Sequence, residues 1–96
     1  MNIFNLLVSL IAISIITPVK EEIIYRGILF EFFTGRYNVI VGIIISSTIF
    51  GLLHSGYPIT SGIMGVIFAL LFYKTKSVLP AIFLHSMWNL FVLIMS

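Results

Sequence analysis

Apolar residues fill five long stretches of the chain, and short polar breaks separate them. The stretches cover Ile3–Thr17, Glu22–Phe33, Val39–Leu53, Ile59–Tyr73 and Val78–Met95. They are much longer than a strand and lack the strict alternation of a membrane barrel strand, so the pattern predicts helices. The breaks are rich in Gly, Pro, Asn and Lys, which end or interrupt helices. We predict an all-α bundle of four or five helical segments.

Composition places this bundle in a membrane. Apolar types make up 60% of the 96 residues and charged types 8%, whereas soluble domains have about 45–50% and about 25%. The net charge of +2 makes no basic patch and the chain has no cysteine, which argues against a nucleic-acid partner and a disulfide scaffold. A spanning helix needs about 20 apolar residues, so at most about four spans fit. We predict one multi-pass membrane domain over residues 1–96, surrounded by a lipid bilayer.

The first two stretches leave a geometric question open. As a single helix, Ile3 to Phe33 would be about 46 Å long, which exceeds the hydrocarbon core of about 30 Å. Pro18 lies between the two stretches. Either the helix kinks at Pro18 and extends well beyond the bilayer, or the chain turns there and returns as a short helix.

Small residues recur at a spacing of four on the third and fourth stretches. They are Gly42, Ser46, Ser47 and Gly51 on the third, and Ser61, Gly65 and Ala69 on the fourth. Small side chains at this spacing let helices approach closely in lipid. We interpret these residues as packing positions only.

Three loop cations give a weak indication of orientation. Arg36 lies in one loop, and Lys74 and Lys76 lie in another, two helices further along the chain. The two loops therefore lie on the same side of the membrane, which the positive-inside rule assigns to the cytoplasm.

The informative residues are polar groups within apolar stretches, where a charge costs about 2.5–3.5 kcal/mol even on lenient scales. They are Glu21, Glu22, Arg26, Glu31, His54, His85 and Asn89. Glu31 lies one turn before the break at Gly35, and we interpret it as an interfacial acid near Arg36. On a helix Glu22 and Arg26 are i,i+4 neighbours and can pair, which leaves Glu21 to point elsewhere. His85 and Asn89 are also four apart and share a face.

Each of these groups has a plain structural interpretation when it is taken alone. The acids and Arg26 could form a neutralising ion pair, His54 could lie at the interface, and His85 with Asn89 could bond neighbouring helices. Taken together, the helix directions move His54, His85 and Asn89 toward one side. If the chain turns at Pro18, both carboxylates join them in one intramembrane pocket.

These residues resemble the three motifs of the CAAX protease and bacteriocin-processing (CPBP, or Abi) family of intramembrane proteases. The motifs are Glu21-Glu22-x-x-x-Arg26, Phe50-x-x-x-His54 and His85-x-x-x-Asn89. Pro18 before the first motif and Lys76 to Pro80 before the last also fit. The resemblance covers residues 17–89. Relatives carry further transmembrane helices before the Glu motif, so the chain resembles a minimal core.

The resemblance implies a function and a role for each motif residue. Glu21 and Glu22 are the expected catalytic carboxylates, one of them activating water, and His54 helps bind that water. His85 and Asn89 are expected to bond the developing oxyanion, and Arg26 to orient a carboxylate. The implied reaction is hydrolysis of a peptide bond in a membrane peptide or protein, at a prokaryotic plasma membrane. A homo-oligomer would supply walls that so short a chain lacks.

The cofactor stays open between none and a divalent metal such as zinc. Two imidazoles and a carboxylate, from His54, His85 and Glu22, are a plausible zinc set. The His-Glu-x-x-His signature of zinc proteases is missing, and a glutamate can activate water without metal. We favour the metal-free mechanism by a small margin.

Two functions of other classes remain as alternatives. One is a non-catalytic membrane binding protein, such as a bacteriocin-immunity factor, which the short length favours. The other is a packing subunit or ion-pathway component. The full set of motif residues favours the enzyme over both.

Overall fold

The computed structural model describes residues 2–54 and 57–95. Four helices account for nearly all of them: α1 (Ile3–Arg36), α2 (Val39–Leu53), α3 (Pro58–Thr75) and α4 (Leu79–Met95). The described ranges contain no strand, and the predicted all-α class is confirmed. Two residues of the predicted turn between α2 and α3, Ser55 and Gly56, lie outside the described ranges.

Helix α1 runs through Pro18 without interruption, as one helix of 34 residues and about 51 Å. The alternative of a turn at Pro18 is therefore wrong. Two stretches of the wider π-helix, Ala12–Ile16 and Ile23–Phe30, alternate with α-helical turns. At the end of the first stretch, the Thr17 amide donates to the Ala12 carbonyl, five residues back.

This π register explains how a proline fits inside α1. Pro18 has no N–H, so the carbonyl five residues earlier, that of Ile13, has no backbone partner in this register. The Asn89 side chain on α4 donates to the Ile13 carbonyl at 3.0 Å. A neighbouring helix often satisfies the group that a proline frees in a membrane helix. The bond also ties the first half of α1 to α4.

The other helix boundaries follow from local chemistry. The Asn38 side chain accepts a bond from the Val41 amide at 2.9 Å and begins α2. Pro58 and Pro80 lie in the first turns of α3 and α4, where a missing N–H costs little. After α3 the chain takes the left-handed conformation at Lys76, with φ of 59°.

Helices α2 and α3 pack closely along their small residues. A Cβ on Gly51 would lie 2.8 Å from the Pro58 carbonyl oxygen and 3.1 Å from the Gly62 backbone. A Cβ on Gly65 would lie 3.2 Å from Cα of Ser47. Because the later residue of α2 faces the earlier residue of α3, the two helices are antiparallel. The interpretation as packing positions is thus confirmed for Ser47, Gly51 and Gly65, and for Gly42, which packs against Phe30 and Thr34 of α1.

The interior is unusual because charged and polar groups share it with aromatic rings. The buried apolar side chains are Tyr25, Phe30, Phe50, Phe68, Ala69 and Ala81, and the buried polar ones are Glu22, Arg26, Ser46, Ser47 and His85. Aliphatic and aromatic side chains cover much of the outer surface. By length and composition α1 and α3 can each cross a membrane, and α2 and α4 are shorter apolar helices. Polar groups inside an apolar shell are typical of a membrane protein.

Candidate active site

Helices α1 and α2 are antiparallel, and this arrangement places Glu21 and His54 at the same depth in the bundle. Glu21 lies about 22 Å from the end of α1, and His54 lies about 22 Å from the start of α2, at 1.5 Å per residue. The Glu21 Oε2 and His54 Nε2 atoms are 3.0 Å apart. The residues therefore meet at mid-length of a continuous α1, and no turn at Pro18 is needed.

The contacts of His54 fix which of its nitrogens carries the proton. Its Nδ1 lies 2.6 Å from the carbonyl oxygen of Phe50, one turn earlier, and a carbonyl can only accept. Nδ1 therefore donates, and Nε2 faces Glu21. The Glu21 Oε2 atom is buried and has no aligned hydrogen-bond donor within the described ranges. A third polar group can therefore lie beside both Glu21 Oε2 and His54 Nε2 and bond them.

Glu22 bridges a cation and the second imidazole. Its Oε1 lies 3.2 Å from Arg26 Nε, which is the predicted i,i+4 pair, and its Oε2 lies 2.8 Å from His85 Nδ1. All three side chains are at most 3% exposed. A carboxylate oxygen accepts, so Nδ1 of His85 is the donor to Glu22. The Nε2 atom of His85 is then free to face the other two site residues.

Glu21, His54 and His85 form one cluster. One carboxylate oxygen and one ring nitrogen from each imidazole all lie within 4.8 Å of one another. This set differs from the predicted zinc set, because Glu21 takes the place of Glu22. Glu22 instead bonds the far nitrogen of His85, as carboxylates commonly do behind metal-binding histidines. The buried, unpartnered Oε2 of Glu21 and the two imidazoles fit a zinc ion, and they fit a water molecule equally well.

Asn89 lies one turn after His85 on the same face of α4. Its Nδ2 donates to the Ile13 carbonyl, a contact that the sequence analysis did not find. A carboxamide nitrogen carries two N–H groups, so a second donor remains. The proline at position 18 was a usable signal, since it implies an unpaired carbonyl nearby in α1.

Two open cavities meet at His54. The smaller, of about 440 Å³, is lined by Lys20, Glu21, Ile24, Tyr25, Leu53 and His54. The larger, of about 800 Å³, is lined mostly by apolar residues of α4, together with Ile13 of α1, Leu53, His54, Tyr57, Asn89 and the polar Thr60 and Ser61 of α3. The cluster thus has open space on both sides of His54.

Comparison with known proteins gives matches over nearly the whole chain. The family model described as type II CAAX prenyl endopeptidase Rce1-like matches residues 3–91. "Putative membrane peptidase YdiL" of Bacillus subtilis is 40% identical over 88 residues, which are 90% of this chain and 36% of that protein. "Membrane-embedded CAAX protease MroQ" of Staphylococcus aureus is 40% identical over an alignment of 91 residues that covers 85% of this chain and 36% of that protein.

The chain thus spans about a third of the length of these curated relatives, or 36% of each. No solved structure matches it significantly. The three motifs quoted above all lie within the residues that the family model matches.

Proposed function

The chain belongs to the Rce1-like family of type II CAAX prenyl endopeptidases, and from that premise we propose that it is a membrane endopeptidase that hydrolyses peptide bonds with glutamate-activated water. The observation that carries the proposal is the cluster of Glu21, His54 and His85, whose donor atoms lie within 4.8 Å of one another. A partly buried carboxylate beside two imidazoles in an apolar shell is a common arrangement for acid–base chemistry.

Glu21 is the proposed general base. A water held by Glu21 Oε2 and His54 Nε2 gives its proton to Glu21 while its oxygen attacks the substrate carbonyl carbon. The proton then passes to the leaving amine as the carbon–nitrogen bond breaks. The 3.0 Å separation of the two atoms and the unpartnered Oε2 support this position for the water.

His85 and Asn89 are the proposed donors to the oxyanion. His85 donates from Nε2 when both of its ring nitrogens carry protons, and the buried carboxylate of Glu22, 2.8 Å from Nδ1, stabilises that cation. Asn89 donates with the N–H that Ile13 does not occupy. Fixed donors aimed at developing charge are often the largest contribution to acyl-transfer catalysis.

A divalent metal such as zinc is the alternative cofactor arrangement. Glu21, His54 and His85 would hold it, and it would act as a Lewis acid toward water and carbonyl. We favour the metal-free mechanism. Metal analysis of active, detergent-purified protein tests this preference, which fails if zinc is stoichiometric and is lost together with activity on chelation.

The proposed substrate is a peptide or protein segment in the membrane, and the proposed location is a prokaryotic plasma membrane. Both known relatives described above are named as membrane peptidases or proteases, and both are bacterial. The largely apolar lining of the larger cavity suits an apolar segment beside the scissile bond. We further propose that the chain crosses the membrane several times, with its loop cations in the cytoplasm.

The test is hydrolysis of quenched fluorescent peptides by the purified protein in lipid nanodiscs. Glu21→Gln keeps the shape of the side chain and removes the base, so we expect kcat to fall by about 10²–10⁴-fold. Glu31→Gln is the matched control, because Glu31 is an exposed acid of the same helix and lies outside the cluster. Full activity of Glu21→Gln would contradict the proposal.

A non-catalytic binding or immunity function is the second candidate, because the contacts of Glu22 with Arg26 and His85 would also stabilise a bundle that does no chemistry. It predicts that a cellular phenotype survives Glu21→Ala and Glu22→Ala. The endopeptidase proposal predicts loss of the phenotype in Glu21→Ala at unchanged protein level in the membrane.

A further inference from the structure

Two buried aromatic rings contact every charged or titratable group of the site except the carboxylates. Phe50 stacks on His54, with ring centroids 4.1 Å apart and planes at 21°. It also lies 5.5 Å from the His85 ring and 5.2 Å from Cζ of Arg26. Phe68 stacks on His85 at 5.0 Å and 22°, and lies 5.6 Å from Cζ of Arg26. The rings of Phe50 and Phe68 are 6.0 Å apart and at most 2% exposed.

The Arg26 guanidinium depends on these two rings because it has few other polar partners among the described residues. Its Nη1 and Nη2 atoms are buried and have no hydrogen-bond partner within the described ranges. Its one ion-pair contact given by the structure is from Nε to Glu22. The faces of aromatic rings carry partial negative charge and attract a guanidinium placed over them. Phe50 and Phe68 thus supply what hydrogen bonds supply to most buried arginines.

His54 is held by Phe50 in two ways. The backbone carbonyl of Phe50 bonds Nδ1 at 2.6 Å and thereby fixes the tautomer. The ring of Phe50 stacks on the imidazole and limits rotation of its plane. Together the two contacts direct Nε2 toward Glu21.

We infer that Phe50 is a positioning residue that orients both imidazoles of the site at once, while Phe68 positions His85 and Arg26 alone. This inference rests on the proposed peptidase function for its kinetic consequences. Phe50 acts through His54 and His85, which would contact the water and the substrate. Loss of its ring should therefore lower the rate of the chemical step and leave substrate binding largely unchanged.

The kinetic test compares Phe50→Leu with Phe50→Tyr and with Phe30→Leu in nanodiscs. For Phe50→Leu we expect kcat to fall by about tenfold to a hundredfold, because small misplacements of catalytic groups have effects of that size. KM should stay within about threefold, and Phe50→Tyr, which keeps the ring, should recover most of kcat. Phe30 is equally buried but packs on Phe72 and Tyr73, so Phe30→Leu controls for loss of a buried ring.

The second readout is independent of proteolysis. The chain has two histidines, so ¹⁵N signals of the imidazoles in detergent micelles can be assigned with His54→Asn and His85→Asn. We expect Phe50→Leu to change the tautomer signals of both rings, Phe68→Leu to change those of His85 alone, and Phe30→Leu to change neither.

The outcomes separate this inference from the proposed function. The inference is overturned if Phe50→Leu leaves both imidazole spectra unchanged, or if Phe30→Leu lowers kcat as much as Phe50→Leu does. If the wild-type protein cleaves no peptide, the proposed function fails while the spectra still decide the inference. If Phe50→Leu does not fold, Phe68→Leu decides, since changed signals from His54 would contradict the assignment.

Discussion

The two adjacent glutamates have different surroundings because neighbouring helix positions point about 100° apart. Glu21 faces α2, is 18% exposed and lies beside a cavity, where a carboxylate can exchange protons with water. Glu22 faces α4, is fully buried and is held between Arg26 and His85. Glu21 is thus accessible to water, as the proposed general base must be, whereas Glu22 is fixed behind an imidazole.

Two variants distinguish orientation of His85 by Glu22 from simple neutralisation of the Arg26 charge. Glu22→Gln leaves Arg26 as an unpaired buried cation, and breaking such a pair costs about 3–5 kcal/mol. In the double variant Glu22→Gln/Arg26→Leu the unpaired cation is gone, so we expect much of that unfolding free energy to return. Activity should stay low in both variants, because neither has a carboxylate behind His85.

The measurements are unfolding by denaturing detergent and peptide hydrolysis, on the same preparations. Glu31→Gln is again the control and should match the wild type in both. Recovery of hydrolysis in the double variant would show that Glu22 serves only to neutralise Arg26.

The local contact of Glu22 with Arg26 is predictable from the sequence, and its distant contact with His85 is not. The Glu22–Arg26 pair follows from a spacing of four on one helix. The bond between Glu22 and His85 joins residues 63 positions apart, and it depends on how far α4 is shifted along α1. No periodicity in the chain encodes that shift. The sequence therefore does not determine whether Glu21 or Glu22 joins His54 and His85 in the cluster.

Among the helices, α2 and α3 pack most closely, and contacts between their backbones set the distance between the two helix axes. Gly51 faces Gly62 and the Pro58 carbonyl with no space for a methyl group. Tight backbone approach is what stabilises helix pairs in lipid, where no hydrophobic force drives them together. The packing of α2 on α3 also determines the position of His54, at the end of α2, along the axis of the bundle.

We expect Gly51→Ala to lower the unfolding free energy by about 1–3 kcal/mol, because an added methyl must push backbone apart. Gly35→Ala on α1 is the matched control, since a Cβ there would meet nothing within 4 Å, and it should be neutral or stabilising. Fluorescence of the single tryptophan, Trp88, can follow unfolding. Equal effects of the two substitutions would contradict close packing as the reason for glycine at position 51.

Pro18 shows where element prediction from sequence failed and why. A proline inside an apolar run usually marks a break, because it removes a backbone donor. Here a π register leaves one carbonyl free, and Asn89 on another helix bonds it. Pro18 signals an unpaired carbonyl nearby, but the group that bonds this carbonyl comes from tertiary structure, and the chain near Pro18 does not identify it.

On the scale of the whole molecule, the helices alternate in direction along the chain. Glu21 of α1 lies near the end of α2, and Phe30 of α1 lies near its start, so α1 and α2 are antiparallel. Gly51 of α2 faces the start of α3, and Ser47 faces a later residue of α3, so this pair is antiparallel too. Helix α4 is likewise antiparallel to α1. This places the loop after α1 and the loop after α3 at one end of the bundle. The predicted common side of Arg36 and Lys74 follows from this arrangement.

Cysteine accessibility tests the proposed topology, and the natural chain contains no cysteine that would interfere. A membrane-impermeant maleimide should label Tyr57→Cys in intact cells. Tyr37→Cys and Thr75→Cys, at the opposite end of the bundle, should react only after the cells are opened. Labelling of Tyr37→Cys and Thr75→Cys from different sides would rule out the alternating bundle in the membrane.

The unequal helix lengths determine how the protein meets the surrounding lipid. At 1.5 Å per residue α1 is about 51 Å long, whereas α2 and α4 are about 22 and 26 Å, and a hydrocarbon core of about 30 Å cannot match all of them. Lipid beside the short helices must thin, and a helix as long as α1 must tilt or protrude. Thinning of the lipid beside α2 and beside α4 would lower the barrier that bulk water crosses to reach His54 and Glu21. Hydrophobic mismatch would thus supply the reactant water, and the rate of hydrolysis should depend on the acyl-chain length of the host bilayer.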